Sequence, residues 1–449
     1  METIFAPATP VGKSALSVIR TSGPLSIKVS EEACNFRNPK PNQSRLVNYI
    51  ALNGKLIDQI VITYYKKGRS YTGEEALEIS CHGNPLIVDL ICEDLMNRGC
   101  RLALPGEFTK LAFLNGKINL TEAESVAQVI SAHSIQALDA ANRTIQGELS
   151  STLKSLQEEL IEIQAHIEAY IDFPEDDLGI PDQSAISDKI NNLINQLQIL
   201  LKQANKVDLL ERNIRVVLIG PPNAGKSSLF NRLIGTSRAL VHENAGTTRD
   251  YLEKEIRIGN HTITLVDTAG IHQTNNEIES AGVRLSSKQA NLADIILCIG
   301  DCTLPYPSQF STDFNNLVNQ KPVIFVENKS DLGIKKQYEI PFKVYCSKLV
   351  SCKTGFGIEE MTNTLDDLIK DTFSSSEITP FYIGKRLKGL TQDCLKNLLD
   401  FKEQLETNTG LEILSPILKF ARENIDEMIG YKTNEDVLDK LFNNFCIGK

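Results

Sequence analysis

Apolar residues recur along the chain at two different periods, and the change from one to the other divides it. Residues 1–118 carry short strand-like runs at Ala15–Arg20, Gln59–Tyr65 and Leu77–Ser80. Turn-rich stretches such as Asn38-Pro39-Lys40-Pro41-Asn42 separate them, and one helical pattern spans Pro85–Arg98. This mixture predicts an α+β domain. From about Thr121 the spacing becomes helical. Ile145, Leu149, Leu153, Leu156, Leu160, Ile163, Ile167 and Tyr170 recur at three or four residues, which predicts one long helix ended by Asp172-Phe173-Pro174. A second amphipathic helix follows through Ile186, Ile190, Leu193, Leu197, Leu200 and Leu201.

The texture changes again at residues 213–372. Apolar strands are expected at Ile214–Ile219, around Ile263 and Leu265, and at Val323–Val326. Past a linker at Phe373-Ser374-Ser375-Ser376, helical spacing returns through Leu395, Leu398 and Leu399, then Leu414 to Ile425, then Val437 to Phe442. Helix faces on both sides of the middle segment need covering. The economical architecture is an all-α helical domain interrupted by an inserted α/β domain with a mostly parallel sheet. The expected boundaries are 1–118, 119–212, 213–372 and 373–449. Three independent beads are the alternative, and they leave apolar stripes uncovered.

At 449 residues the chain is too long for one core. No apolar run approaches the ~20 residues that span a bilayer, and Met1–Pro7 lacks a basic-then-apolar leader. Ten cysteines without CxxC pairs then point to free thiols in a reducing cytoplasm. A net charge of −10 confines any nucleic-acid contact to a local basic patch or to a partner.

The chemistry concentrates in the middle segment. Gly220-Pro221-Pro222-Asn223-Ala224-Gly225-Lys226-Ser227-Ser228 lies between a strand and a helix, the context of a P-loop. Its N–H groups would cradle phosphates, Lys226 would meet the β- and γ-phosphates, and Ser227 would ligate Mg²⁺. Thr248, in Gly246-Thr247-Thr248-Arg249-Asp250, is the expected second hydroxyl on Mg²⁺. Asp267-Thr268-Ala269-Gly270 would reach Mg²⁺ through water and sense the γ-phosphate. Asn328-Lys329-Ser330-Asp331 would read guanine, backed by Ser351-Cys352-Lys353, in which Cys352 replaces the usual alanine. Four motifs in this order fix GTP as the nucleotide. The residue after Gly270 is Ile271, so the glutamine that orients water in Ras-like enzymes is missing.

Outside this segment the chain resembles the MnmE (TrmE) family of tRNA-modifying GTPases, within the TrmE-Era-EngA-like class. The likeness rests on Val18-Ile19-Arg20-Thr21-Ser22-Gly23, Ser70-Tyr71-Thr72-Gly73-Glu74, Glu78-Ile79-Ser80-Cys81-His82-Gly83, Pro105-Gly106-Glu107-Phe108-Thr109, Ala112–Lys117 and the terminal Phe445-Cys446-Ile447-Gly448-Lys449. The resemblance implies a cytoplasmic homodimer. It would work with an FAD-containing MnmG (GidA)-like partner, in a heterotetramer or larger complex, to install a carboxymethylaminomethyl-type group at C5 of the wobble uridine of certain tRNAs. The one-carbon unit would come from 5-formyl- or 5,10-methylene-tetrahydrofolate, bound by Arg20, Glu78, Lys117 and Lys449. The resemblance also implies a K⁺ ion held by Asn223, His242, Asn244 and Thr247 in place of an arginine finger, with Glu279 orienting water.

Cys446 admits three readings: a prenylation box, a bland tail cysteine, or a functional thiol near the folate. The terminal Lys449 and the absence of a polybasic stretch argue against the first. The family favours the last, as a catalytic thiolate. A rival function is an Era-like switch in ribosome assembly. The long non-GTPase N-terminus and the lack of a basic RNA-binding domain after residue 376 speak against it.

Overall fold

The computed structural model describes residues 2–172, 183–210, 214–236, 252–268, 289–304, 321–333, 343–373, 381–407, 410–432, 435–443, 445 and 448. The chain forms two compact units. One comprises Met1–Ser131, Ala141–Ala204 and Phe381–Lys449; the other comprises Ala132–Ala140 and Asn205–Pro380.

The first unit opens with a six-stranded sheet: β1 (Ile4–Pro7), β2 (Leu16–Ser22), β3 (Ser44–Ile50), β4 (Leu56–Tyr65), β5 (Ala76–His82) and β6 (Arg101–Leu102). Its order is β3-β4-β5-β2-β1-β6, antiparallel except for the β1–β6 pair. Alternation decides the faces, as it does in a sheet covered on one side. Ile19, Ile60, Ile62, Leu77 and Ile79 are buried in one core with residues of helices α1 (Leu25–Cys34) and α2 (Pro85–Asn97). Residues one position away in each strand, Arg20, Val61 and Glu78, are half-buried or exposed. Asn84 caps α2 by accepting from Leu86 N–H, and Pro85 starts the helix.

Next come α3 (Glu107–Leu114), α4 (Leu120–Ser131), α5 (Ile135–Ile145), α6 (Glu148–Asp172) and α7 (Gln183–Leu210). The single helix expected from Ile145 to Tyr170 is two. Gly147, at φ +85°, closes α5 in the left-handed region that glycine tolerates, and α6 restarts at Glu148. Ile145 therefore lies off the buried row that runs from Leu149 to Ile167.

The second unit holds β7 (Ile214–Ile219), α8 (Lys226–Thr236), β8 (Leu252–Ile258), β9 (His261–Asp267), β10 (Ile295–Asp301), β11 (Val323–Asn328), β12 (Cys346–Leu349) and α9 (Ile358–Phe373). The order is β12-β11-β10-β7-β9-β8, parallel except for the β8–β9 hairpin. Both faces of this sheet carry buried clusters, and every residue of β10 is buried, as a doubly covered parallel sheet demands. Residues 133–135, at the start of α5, run beside the hairpin turn. His133 C=O accepts from Thr262 N–H at 2.7 Å, and Ile135 N–H donates to Asn260 C=O at 3.2 Å.

The chain then returns to the first unit as α10 (Lys385–Glu406), α11 (Leu411–Ile429) and α12 (Glu435–Phe442). Leu398, Phe401, Leu418 and Ile425 share one core with Leu156, Ile167 and Leu193, so the two distant helical stretches form a single bundle. The fold class expected from the sequence is the one found. A buried ion pair, Arg386 Nε to Glu124 Oε1 at 2.6 Å, ties α10 to α4, and Arg386 also donates to the carbonyls of Glu427 and Met428. Among the described residues no helix is long and apolar enough to cross a membrane.

Candidate nucleotide site and a second polar face

The loops that follow β7, β11 and β12 surround a cavity of about 770 Å³, lined by residues of the P-loop and of the 328–332 and 352–353 loops. Ligands in open parallel sheets sit at this end of the strands. Gly225, at φ +100°, has no room for a side chain, because a Cβ there would collide with the Asn328 amide. That close approach brings the P-loop against the base-reading loop. Asn328 is buried and doubly held: its Nδ2 donates to Ala224 C=O at 2.9 Å, and its Oδ1 accepts from Cys352 N–H at 3.0 Å. The substitution of alanine by Cys352 thus leaves the main-chain contact in place. Burial pushes the Cys352 thiol up to about 11, so it packs as a neutral small side chain. Ser351 Oγ donates to Asp331 Oδ1 at 2.7 Å, aligning the carboxylate expected to accept from guanine.

Lys226 begins α8 and is buried; its ammonium donates to the carbonyls of Gly220 and Pro221, each at 2.9 Å. Burial lowers its pKa, and Asp267 counteracts this. Ser227 Oγ donates to Asp267 Oδ2 at 2.7 Å, and Asp267 is fully buried at the end of β9. A hydroxyl and a carboxylate oxygen, adjacent and backed by a helix N-terminus, are the hard donors that suit Mg²⁺ alongside phosphate oxygens. Thr268 Oγ1 donates to Leu218 C=O at 2.8 Å and pins the end of β9 to β7. Asn223, at φ +61°, and Ser228 are exposed on the P-loop and line the cavity. Lys353 lines it too. His242, Asn244, Thr247, Thr248, Ala269, Gly270, Glu279, Cys446 and Lys449 lie outside the described residues.

One residue was missed in the sequence reading. Asp301 ends β10, and its Oδ2 lies 2.7 Å from Lys329 Nζ. The available signal was an acid directly at the carboxyl end of a buried strand.

A second polar cluster lies in the first unit. Arg20 and Glu78 stand opposite each other in the β2–β5 register, and Arg20 Nε meets Glu78 Oε1 at 2.9 Å. Tyr65 OH donates to Glu78 Oε2 at 3.1 Å. Burial raises the Tyr71 pKa against the opposing Thr109 hydrogen bond and Arg20 charge. Lys117 lies along the 68–74 loop, with its ammonium donating to Gly68 C=O at 3.0 Å and its stem against Gly73. The described tail residues, Phe445 and Gly448, pack on α12 and β1. Phe445 packs on Phe442, with ring centroids 5.4 Å apart, and Gly448 sits so tightly on Pro7 that a Cβ would lie 2.6 Å from the Pro7 carbonyl. Pro7 ends β1, which pairs with Arg20's own strand.

Two family models match the chain: the GTP-binding protein TrmE N-terminus over residues 3–117 and the MnmE helical domain over residues 120–446. A tRNA modification GTPase MnmE of Opitutus terrae is 36% identical, covering 100% of this chain and 99% of that one. One of Aquifex aeolicus is 37% identical over the full length of both. Among solved structures, the G domain of the T. maritima FeoB transporter is 24% identical, covering 34% of this chain and 97% of that one, with a TM-score of 0.26. That likeness is too weak to bear on function.

Proposed function

The chain belongs to the MnmE family of tRNA modification GTPases, and we infer that it hydrolyses GTP to drive a folate-dependent modification at C5 of the wobble uridine of tRNA. The GTPase part is carried by the nucleotide cavity, where Asn328, Asp331 and Lys226 are already held by protein partners. When GTP enters, Lys226 exchanges two carbonyls for phosphate oxygens. Ser227 and Thr248 would hold Mg²⁺, with Asp267 reaching it through water, and the ion would neutralise charge on the β- and γ-phosphates. Asn223 carries an amide oxygen suited to K⁺, which it would share with His242, Asn244 and Thr247. Glu279 would orient the attacking water.

The folate part draws its support from the convergence of tail and sheet. Gly448 packs against Pro7 at the end of β1, the strand that pairs with the Arg20 strand. Arg20 and Glu78 neutralise each other without ligand. A tetrahydrofolate could separate them, Glu78 accepting from pterin N–H groups and Arg20, Lys117 and Lys449 pairing with carboxylates. Cys446 would then act as a thiolate beside the one-carbon unit. Leu16, Leu46 and Val61, all exposed on the uncovered sheet face, favour a homodimer through this sheet. An MnmG (GidA)-like FAD protein would supply the redox partner. The test is equilibrium binding of 5-formyltetrahydrofolate to the full chain. Micromolar binding lost in Arg20→Ala is expected. Absence of binding by the unmodified chain would leave a GTPase whose tRNA chemistry uses another donor.

A further inference from the structure

Asp301 is nearly buried and makes three bonds. Its Oδ2 holds Lys329 Nζ at 2.7 Å, while Oδ1 accepts from Thr303 N–H at 2.9 Å and Thr303 Oγ1 at 2.6 Å. Burial pushes its carboxyl up, but the bonds from Lys329 and Thr303 outweigh this and hold it below the usual carboxylate range. It is therefore an anion throughout the neutral range.

Lys329 needs such an anchor. Its backbone is left-handed, at φ +68° and ψ +32°, a region that a residue with a side chain occupies only when its surroundings enforce it. The side chain lines the nucleotide cavity, while its ammonium is drawn to Asp301. A four-carbon stem with a free, strongly hydrated ammonium would sample many rotamers and leave the cavity wall. The anchor itself is rigid, because Cys302 N–H donates to Asn328 C=O at 3.0 Å and joins the two strand ends.

We propose that Asp301 is a further positioning residue of the guanine-nucleotide site, holding the Lys329 ammonium so that the lysine stem stands as one wall of the base pocket. The proposal rests on the guanine-nucleotide reading of that cavity. Because the wall meets the base and not the phosphates, GDP and GTP should depend on it equally.

The experiment is stopped-flow release of a fluorescent N-methylanthraniloyl-GDP from the full chain, with competition by GDP and GTP. Asp301→Asn keeps an acceptor for Thr303 but removes the charge that holds Lys329. We expect release about tenfold faster, with both nucleotides weakened by the same factor and the loss falling on KM rather than kcat. Asp301→Glu should recover part of it. In a Lys329→Met background, Asp301→Asn should add nothing. Unchanged release in Asp301→Asn, or an equal further loss in the Lys329→Met background, overturns the proposal. The second result would assign the carboxylate to the Thr303 turn alone. Should Asp301→Asn fail to fold, Lys329→Met decides by itself: release at the unmodified rate overturns the proposal. No nucleotide binding by the unmodified chain would remove the cavity's guanine reading and this one with it.

Discussion

The nucleotide cavity and the Arg20–Glu78 face both gather charged residues from distant segments, yet they hold them differently. In the cavity the partners are largely main-chain atoms. Asn328 bonds Ala224 C=O and Cys352 N–H, and Lys226 bonds two P-loop carbonyls. On the sheet face the partners are side chains, Arg20 to Glu78 and Tyr65 to Glu78, and the ion pair is about one-third exposed. Main-chain partners are fixed once the strands pair, so the described part of the cavity is formed before any ligand arrives. A side-chain pair in contact with water can open when a better partner comes. The first arrangement suits tight, selective binding; the second suits ligand exchange.

The largest effect that would break this contrast is on base selectivity. Asp331 is aligned by Ser351, so Asp331→Asn replaces an aimed acceptor by a donor. GTP affinity should fall at least ~10²-fold while xanthosine triphosphate gains, since a site built to pair polar groups rejects a mismatched partner strongly. Competition binding with the two nucleotides reads this directly. Retained GTP preference would mean that the base is not read at Asp331, and that the cavity's preformed bonds serve the fold alone.

Next in size is a comparison of two ion pairs within the first unit. Arg386–Glu124 is buried, with Glu124 Oε2 left without a partner among the described residues. Burial raises the Glu124 pKa against the pull of Arg386. Arg386→Met would strand this carboxylate and free two α11 carbonyls, costing roughly 3–5 kcal/mol. Arg20→Met breaks a pair that water already screens and should cost no more than ~1 kcal/mol. Urea unfolding followed by helical signal separates the two; similar losses would show that the Arg20 pair is structural and poorly suited to ligand exchange.

How much of this was legible in the sequence follows the same division. The P-loop, Asp267 and the Asn328–Asp331 run could be read because each is contiguous and sits at the end of an apolar strand. The bundle was legible because Leu149 to Ile167 repeat with helical period. The α5–α6 break was not, since Ile145 fits the same period and only the left-handed Gly147 interrupts it. Asp301 was missed because its partner, Lys329, is 28 residues away and the pairing depends on β10 lying beside β11. The Arg20 cluster draws on β2, β4 and β5. No local pattern encodes such a meeting, and only the family resemblance brought its members together in advance.

The smallest effect concerns His261 at the β8–β9 turn, which follows directly on β8 and leads to Asp267. It is buried beside residues 133–135 and near Asp366 and Lys370 of α9. Burial lowers its pKa below the ordinary histidine value. Asp366 acts in the opposite direction and Lys370 reinforces the lowering. The folded state therefore prefers neutral imidazole. As pH falls through the unfolded value near 6.5, the unfolded chain takes up a proton that the folded unit resists, so stability declines. In His261→Gln that increment is absent, and the stability gap between the unmodified chain and the variant should narrow from pH 7.5 to pH 5.5. Unfolding midpoints of the second unit at several pH values measure it. A gap that widens on acidification would mean that Asp366 dominates and that His261 is held as a cation, making the hairpin turn another charged pair like Arg20–Glu78 instead of part of the neutral frame behind Asp267.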